Sequence, residues 1–258
     1  MAFSNDDIAD AYAAGVDSAP YNALYERPAM LDLLPPVAGR RVLDAGCASG
    51  WYAATLAGRG ALVTAIDATA AMIVHARERI APSWLNGEDA RVELRVADLE
   101  QPLSFAADAA FDGIVSSLVL HYLREWGPTL AEFRRILKPD GWLALSIHHP
   151  MADTIRLDPP RYLDTELVED YWKWVGTICY YRRPLSAVFN ALASARFAVE
   201  QVVEPLPTED FRRQKPAAYE QLLKRPEFLL LRARLVLSEP LTVTSRRVEG
   251  PAGDRSTP

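Results

Sequence analysis

The sequence predicts an α/β fold built on a doubly wound, mostly parallel sheet. Three observations carry this. Short apolar, β-branched runs alternate with helical segments through most of the chain. Gly and Pro punctuate the joins between them. A Gly-rich loop follows the first strand and opens directly into a helix. Alternating strands and helices imply βαβ units with right-handed crossovers.

The first part of the chain reads as helices, over Asp7 to Ala14 and Tyr21 to Leu34, stopped by Pro35-Pro36. Arg41 to Ala45 is a strand, Trp51 to Arg59 a helix closed by Gly60, and Ala61 to Ile66 an apolar strand. Thr69 to Ile80 is helical with Pro82 beyond it, and Arg91 to Val96 alternates like a less buried strand. Phe111 to Ser116 is a strand, and Leu118 to Leu123 begins a helix. Pro128 to Leu137 is a helix, closed by the turn Lys138-Pro139-Asp140-Gly141. Trp142 to His148 is the fifth strand. Leu185 to Ala195 and Pro216 to Lys224 are helical, with strands at Phe197 to Val203 and Phe228 to Leu237. One domain over residues 1–238 is expected, with residues 1–38 as a helical cap and residues 150–184 as an insertion after the fifth strand. Residues 239–258 carry few apolar groups and read as a disordered tail.

The net charge of −6 gives no general attraction for phosphate backbones or anionic lipid, so neither nucleic acid nor membrane is an expected partner. Two cysteines do not make a disulfide framework. The first residues lack the basic and apolar regions of a signal peptide, and no apolar run reaches a membrane span. The cytoplasm is the expected location, and a monomer or homodimer the expected state.

The strongest motif is Val42-Leu43-Asp44-Ala45-Gly46-Cys47-Ala48-Ser49-Gly50. Gly46 and Gly50 allow a tight turn and a close approach to a ligand. A P-loop would need a lysine that is absent here. A dinucleotide fingerprint would need a small residue where Trp51 stands. The carboxylate of Asp44 at the strand end suits a cationic or zwitterionic ligand better than a pyrophosphate. Asp67 ends the second strand, where an acid accepts hydrogen bonds from both hydroxyls of a ribose. Asp98 ends the third, where an acid receives an exocyclic amine with Leu99 beside the base.

The series of Val42–Gly50, Ala65-Ile66-Asp67-Ala68, Ala97-Asp98-Leu99, Phe111–Ser117 and Arg134–Gly141 resembles class I S-adenosylmethionine-dependent methyltransferases, particularly the bacterial small-molecule type. The resemblance is close from Val42 to about Ile147. It implies a Rossmann-like methyltransferase fold with seven strands, the last antiparallel, and S-adenosylmethionine as cofactor. It implies that the loop at Asp44, Gly46, Cys47 and Gly50 holds the methionine end. Asp67 would hold the ribose, Ala68 and Met72 would flank the adenine, and Asp98 with Leu99 would bind its edge. Ser117 would lie near the sulfonium. Ala48 departs from the glycine usual at the middle of the loop; alanine fits there at an ordinary φ and is strained at φ > 0.

Of the four histidines, His75 reads as surface. His121, His148 and His149 follow strand ends, where the fold places substrate, and are the candidate general bases. Neighbours on a strand point to opposite faces, so His148 and His149 do not share a metal and at most one faces the cleft. No metal is expected. Asp158-Pro159-Pro160-Arg161 looks like an adenine-N6 methyltransferase motif, but it follows the wrong strand and lacks the aromatic residue that stacks on a flipped base. Tyr162, Tyr171, Trp172, Trp174, Tyr180 and Tyr181 fall within 20 residues and suit the wall of a small-molecule pocket. The expected function is methyl transfer to an O, N or C atom of a small aromatic or apolar metabolite. A cofactor-binding enzyme that does not methylate, such as a cyclase, or a non-catalytic partner subunit, fits the same motifs. Conversion of the cofactor to S-adenosylhomocysteine separates these.

Overall fold

The computed structural model describes residues 6–152, 162–172 and 175–236. Its strands are β1 (Arg41–Ala45), β2 (Leu62–Asp67), β3 (Val92–Val96), β4 (Phe111–Ser117), β5 (Leu137–His148), β6 (Glu166–Trp172), β7 (Gly176–Arg182), β8 (Phe197–Val203) and β9 (Phe228–Leu235). Seven of them form one sheet in the order β3-β2-β1-β4-β5-β9-β8, in which β9 runs antiparallel to both neighbours. The helices are α1 (Asp6–Gly15), α2 (Arg27–Leu33), α3 (Trp51–Gly58), α4 (Ala70–Arg79), α5 (Pro82–Leu85), α6 (Gly127–Ile136), α7 (Leu185–Ser194), α8 (Glu209–Gln214) and α9 (Pro216–Leu222). The seven-stranded doubly wound fold expected from the sequence is the one observed.

The middles of the central strands are buried because both faces of the sheet are covered. Successive side chains point to opposite faces. Leu43, Ile114, Leu143 and Leu145 enter one core with Leu130, Phe133 and Ile136 of α6 and Val188 and Leu192 of α7. Val42, Val115 and Ala144 enter the other, with Ala53 and Leu56 of α3 and Ile73 of α4. The strand order reverses between β1 and β4, and the loops after these strands make the crevice.

Several local readings change. The second N-terminal helix starts with a π-helical turn over Asn22–Glu26, a feature common at functional sites. The helix expected from Leu118 shrinks to one 3₁₀ turn at Leu120–Tyr122, with Leu118 at φ +54°. Strand β5 begins at Leu137, and Lys138 to Gly141 loops out of it with Asp140 at φ +61°. Helices α5 and α8 were not expected; Thr208 caps α8 by accepting from the Phe211 amide.

The aromatic insertion contains an antiparallel hairpin, β6–β7. Its inner residues Val168, Ile178 and Tyr180 recur with strand period and pack on Ile8 and Tyr12 of α1 and on Tyr122. The tetrad Asp158 to Arg161, Trp174 and the tail after Ser238 lie outside the described residues. Among the described residues no helix is long and apolar enough to cross a membrane.

Candidate active site at the crevice

The loop after β1 turns with Gly46 at φ +84° and Gly50 at φ +79°. A Cβ on Gly46 would lie 2.4 Å from Val119 Cγ2, and one on Gly50 3.0 Å from the Ala76 backbone. Both positions therefore require glycine. Ala48 stands at φ +45°, not at an ordinary φ, so its methyl group is strained by about 1–2 kcal/mol. The loop is pinned by the Gly46 and Cys47 amides, which donate to Ile66 O at 2.9 and 2.8 Å.

Asp67 organises the next layer. Its Oδ2 accepts from the Ala48 amide at 3.0 Å and its Oδ1 from the Thr69 amide at 2.9 Å. The Thr69 hydroxyl and the Ala68 amide also donate toward the carboxylate, which fixes its orientation at the crevice. Burial raises the Asp67 pKa, against the pull of those amides. Asp98 Oδ1 accepts from the Glu100 amide at 2.9 Å, which makes an Asx turn beside buried Leu99.

These elements bound a cleft that opens to solvent. Asp67, Ala68, Thr69, Met72, Asp98 and Leu99 line one end, and Gly46, Ala48 and Ser117 the middle. Leu118, Val119, His121, Tyr122, Leu123, His148 and Trp172 line the other end. Tyr12 of α1 and Asn22 also reach the lining. Helix α1 is tied to α4 by His75 Nε2, 2.7 Å from Asp10 Oδ1. A smaller chamber adjoins the middle and is lined by Glu26, Arg27, Cys47, Ser49 and Tyr52 among others. Nothing local in the sequence marks Tyr12, Asn22, Glu26 or Arg27 as cleft residues. Only their helices were legible as a cap.

Three predicted residues sit elsewhere. Asp44 and Gly50 shape the loop without lining either cavity. The Asp44 side chain is 1% exposed, and its Oδ2 has no hydrogen-bond partner among the described residues. His149 is also removed from the cleft: its Nε2 lies 2.9 Å from Glu204 Oε1, and its Nδ1 accepts from the Met151 amide. That leaves His121 and His148. Their rings stack with centroids 4.2 Å apart and planes 17° apart, and Tyr180 meets His148 edge-on at 4.4 Å. Both ring nitrogens of His121 are buried without a hydrogen-bond partner among the described residues. Burial, with the charges of His148 and Arg183, pushes the His121 pKa well below the usual histidine range.

Burial pushes the Asp44 carboxyl up to about 7, opposed by the Ala53 amide and helped by the charge of Asp67. Burial raises Glu26 as well. Acids that hold protons more tightly when folded make stability fall as pH rises from the unfolded pKa to the folded one. The ligand-free protein should therefore lose stability between about pH 4 and about pH 7, by at most roughly 4 kcal/mol from Asp44 at about 1.4 per unit. Thermal melts across this window should show a falling Tm, and Asp44→Asn should flatten the slope. A Tm that rises through the window contradicts the shift.

The comparisons with known proteins agree with this geometry. A family model described as a methyltransferase domain matches residues 43–145. The solved structure of an S-adenosylmethionine-dependent methyltransferase from Mesorhizobium loti is 29% identical and superposes with a TM-score of 0.69, over 85% of this chain and 100% of that one. Residues 43–145 carry a methyltransferase domain, and the chain as a whole is similar to S-adenosylmethionine-dependent methyltransferases. An uncharacterised methyltransferase of Mycobacterium bovis is 33% identical over 129 residues, which are 49% of this chain and 59% of that protein. An uncharacterised protein of Haemophilus influenzae is 26% identical over 83% of this methyltransferase and 89% of its own length. S-adenosylmethionine is the family's cofactor, and the residues present fit it. The methyltransferase has a glycine-shaped loop, a carboxylate held in one orientation at the crevice, and Trp51 where a dinucleotide site needs a small residue.

Proposed function

We propose that this methyltransferase acts on a small, uncharged aromatic or apolar molecule of the cytoplasm. The observation that carries the reading is the chemistry of the cleft beyond Ser117. Among the described residues that line it there, from Leu118 to Trp172, none is Asp, Glu, Lys or Arg. Apolar and aromatic walls with a few polar tips suit a flat, neutral ring. An anionic acceptor would have to shed its water with no cation to receive it.

On this reading Asp67 holds the ribose, and Ala68, Met72, Asp98 and Leu99 surround the adenine. Gly46, Ala48 and Ser117, with Cys47 behind them, face the methionine end. When bound, S-adenosylmethionine supplies a methyl group activated by the positive charge on its sulfur. The protein has to align the acceptor and keep water out. Trp172 on the hairpin and Tyr12 on α1 close the cleft from above. His121 stays neutral and offers an unfilled hydrogen-bonding position to an acceptor hydroxyl or N–H. His148, beside it, takes the acceptor's proton.

The test is turnover with a library of neutral phenols and N-heterocycles, read as S-adenosylhomocysteine and methylated product. Transfer to members of this library is expected. Trp172→Ala should raise the acceptor KM by about tenfold and leave cofactor affinity nearly unchanged. Turnover confined to anionic or macromolecular acceptors would overturn the reading. Lost dimerisation with normal turnover in Trp172→Ala would make the hairpin an interface instead.

A further inference from the structure

The smaller chamber beside the cleft contains a buried acid that the reading above does not use. Glu26 ends the π-helical turn and is 1% exposed. Its Oε1 accepts from Ser146 Oγ at 2.6 Å and Ser117 Oγ at 2.9 Å, and its Oε2 from Tyr52 Oη at 2.8 Å. Three hydroxyls donating to one carboxyl are the surroundings of an anion. A carboxylate has about four lone-pair directions, so one remains. A buried anion is costly without a cation beside it. The adjacent cation, Arg27, is directed elsewhere: its guanidinium lies 3.0 Å from Asp17 Oδ1 and stacks on Trp51 at 4.3 Å.

The chamber shares Gly46, Ala48 and Ser117 with the main cleft, so one ligand can extend from one into the other. Its wall carries the Glu26 carboxyl, whose three hydroxyl donors and the nearby charge of Arg27 favour ionisation against the burial that opposes it, and a ligand ammonium group would add to that balance. Asp44, the acid expected here from the sequence, lies behind the loop and lines neither cavity.

We infer that Glu26 receives the α-ammonium group of the cofactor's methionine end, and so selects ligands that carry an amino-acid tail. The inference rests on the assignment of the main cleft to S-adenosylmethionine. In this role Glu26 is a binding residue that also joins the ends of β4 and β5 to the first turn of α3 through Ser117, Ser146 and Tyr52.

The experiment is calorimetry on the full chain and on Glu26→Gln with three probes. These are S-adenosylmethionine, S-adenosylhomocysteine and 5′-methylthioadenosine, which has the nucleoside and thioether but no amino-acid tail. The first two should weaken alike by about ten- to hundredfold, the range for a lost hydrogen bond to a charged group. The third should stay within about twofold, since it has no ammonium group to lose. Equal weakening of all three would reduce Glu26 to a structural role and overturn the inference. So would unchanged binding of all three. Weakening of S-adenosylmethionine alone would move the contact to the sulfonium and overturn it too. If Glu26→Gln does not fold, Glu26→Asp, which withdraws the carboxylate by one methylene, should give the same pattern, and the same outcomes decide. If the unaltered chain binds none of the probes, the cleft assignment fails before Glu26 is tested.

Discussion

Replacing His148 by alanine is expected to lower kcat by roughly 10²–10⁴-fold, the usual worth of a general base, while cofactor affinity stays near its original value. Three histidines follow strand ends, and two of them are poorly placed to act as the base. His149 is turned to Glu204 and lies outside the cleft lining. His121 lines the cleft, but burial and the charges of His148 and Arg183 disfavour a proton on it. His148 lines the same wall, at the end of β5, and is 8% exposed. Stacked on neutral His121, it is the imidazole left to take a proton from the acceptor. Single-turnover and steady-state rates with an identified acceptor check this. A loss of less than about tenfold would leave the transfer to positioning alone and make His148 part of the aromatic wall.

Asp67→Ala is expected to weaken S-adenosylmethionine binding by one to two orders of magnitude. Hydrogen bonds to a charged group contribute roughly 1.5–3 kcal/mol each, and about 1.4 kcal/mol is tenfold in affinity. Two effects add here. The ribose loses its carboxylate, and the strained Ala48 turn loses the oxygen that its amide donates to. Calorimetry on the folded variant is the measurement. Unchanged affinity would remove the ribose from Asp67.

How much of this could be read in the sequence depended on how far apart the interacting residues lie. The strand Arg41–Ala45 and the glycine loop were legible because their constraints are local: apolar strand, turn, helix start. The separation of His148 from His149 followed from strand parity alone. Parity also explains Asp44. It sits on the face of β1 that Val42 occupies, with Leu43 and Ala45 on the other, so it points under α3 and accepts from the Ala53 amide. Counting along the strand would have shown this. The φ of Ala48 was not legible, because Asp67, 19 residues on, fixes its amide. Glu26 was beyond local reading altogether: Ser117 and Ser146 lie 91 and 120 residues away. The hairpin is hard to read locally because clustered aromatics on both faces mask its period of two, which Ile178 and Tyr180 carry.

On the proposed reading, the crevice between β1 and β4 holds S-adenosylmethionine with its reactive end toward the histidine wall. A crystal structure of the protein with S-adenosylhomocysteine tests it most directly. The account predicts the ribose hydroxyls on Asp67, the adenine among Met72, Asp98 and Leu99, and the sulfur between Ser117 and the wall of His121 and His148. A nucleoside seated against His121 and His148, or a ligand outside this crevice, would contradict it.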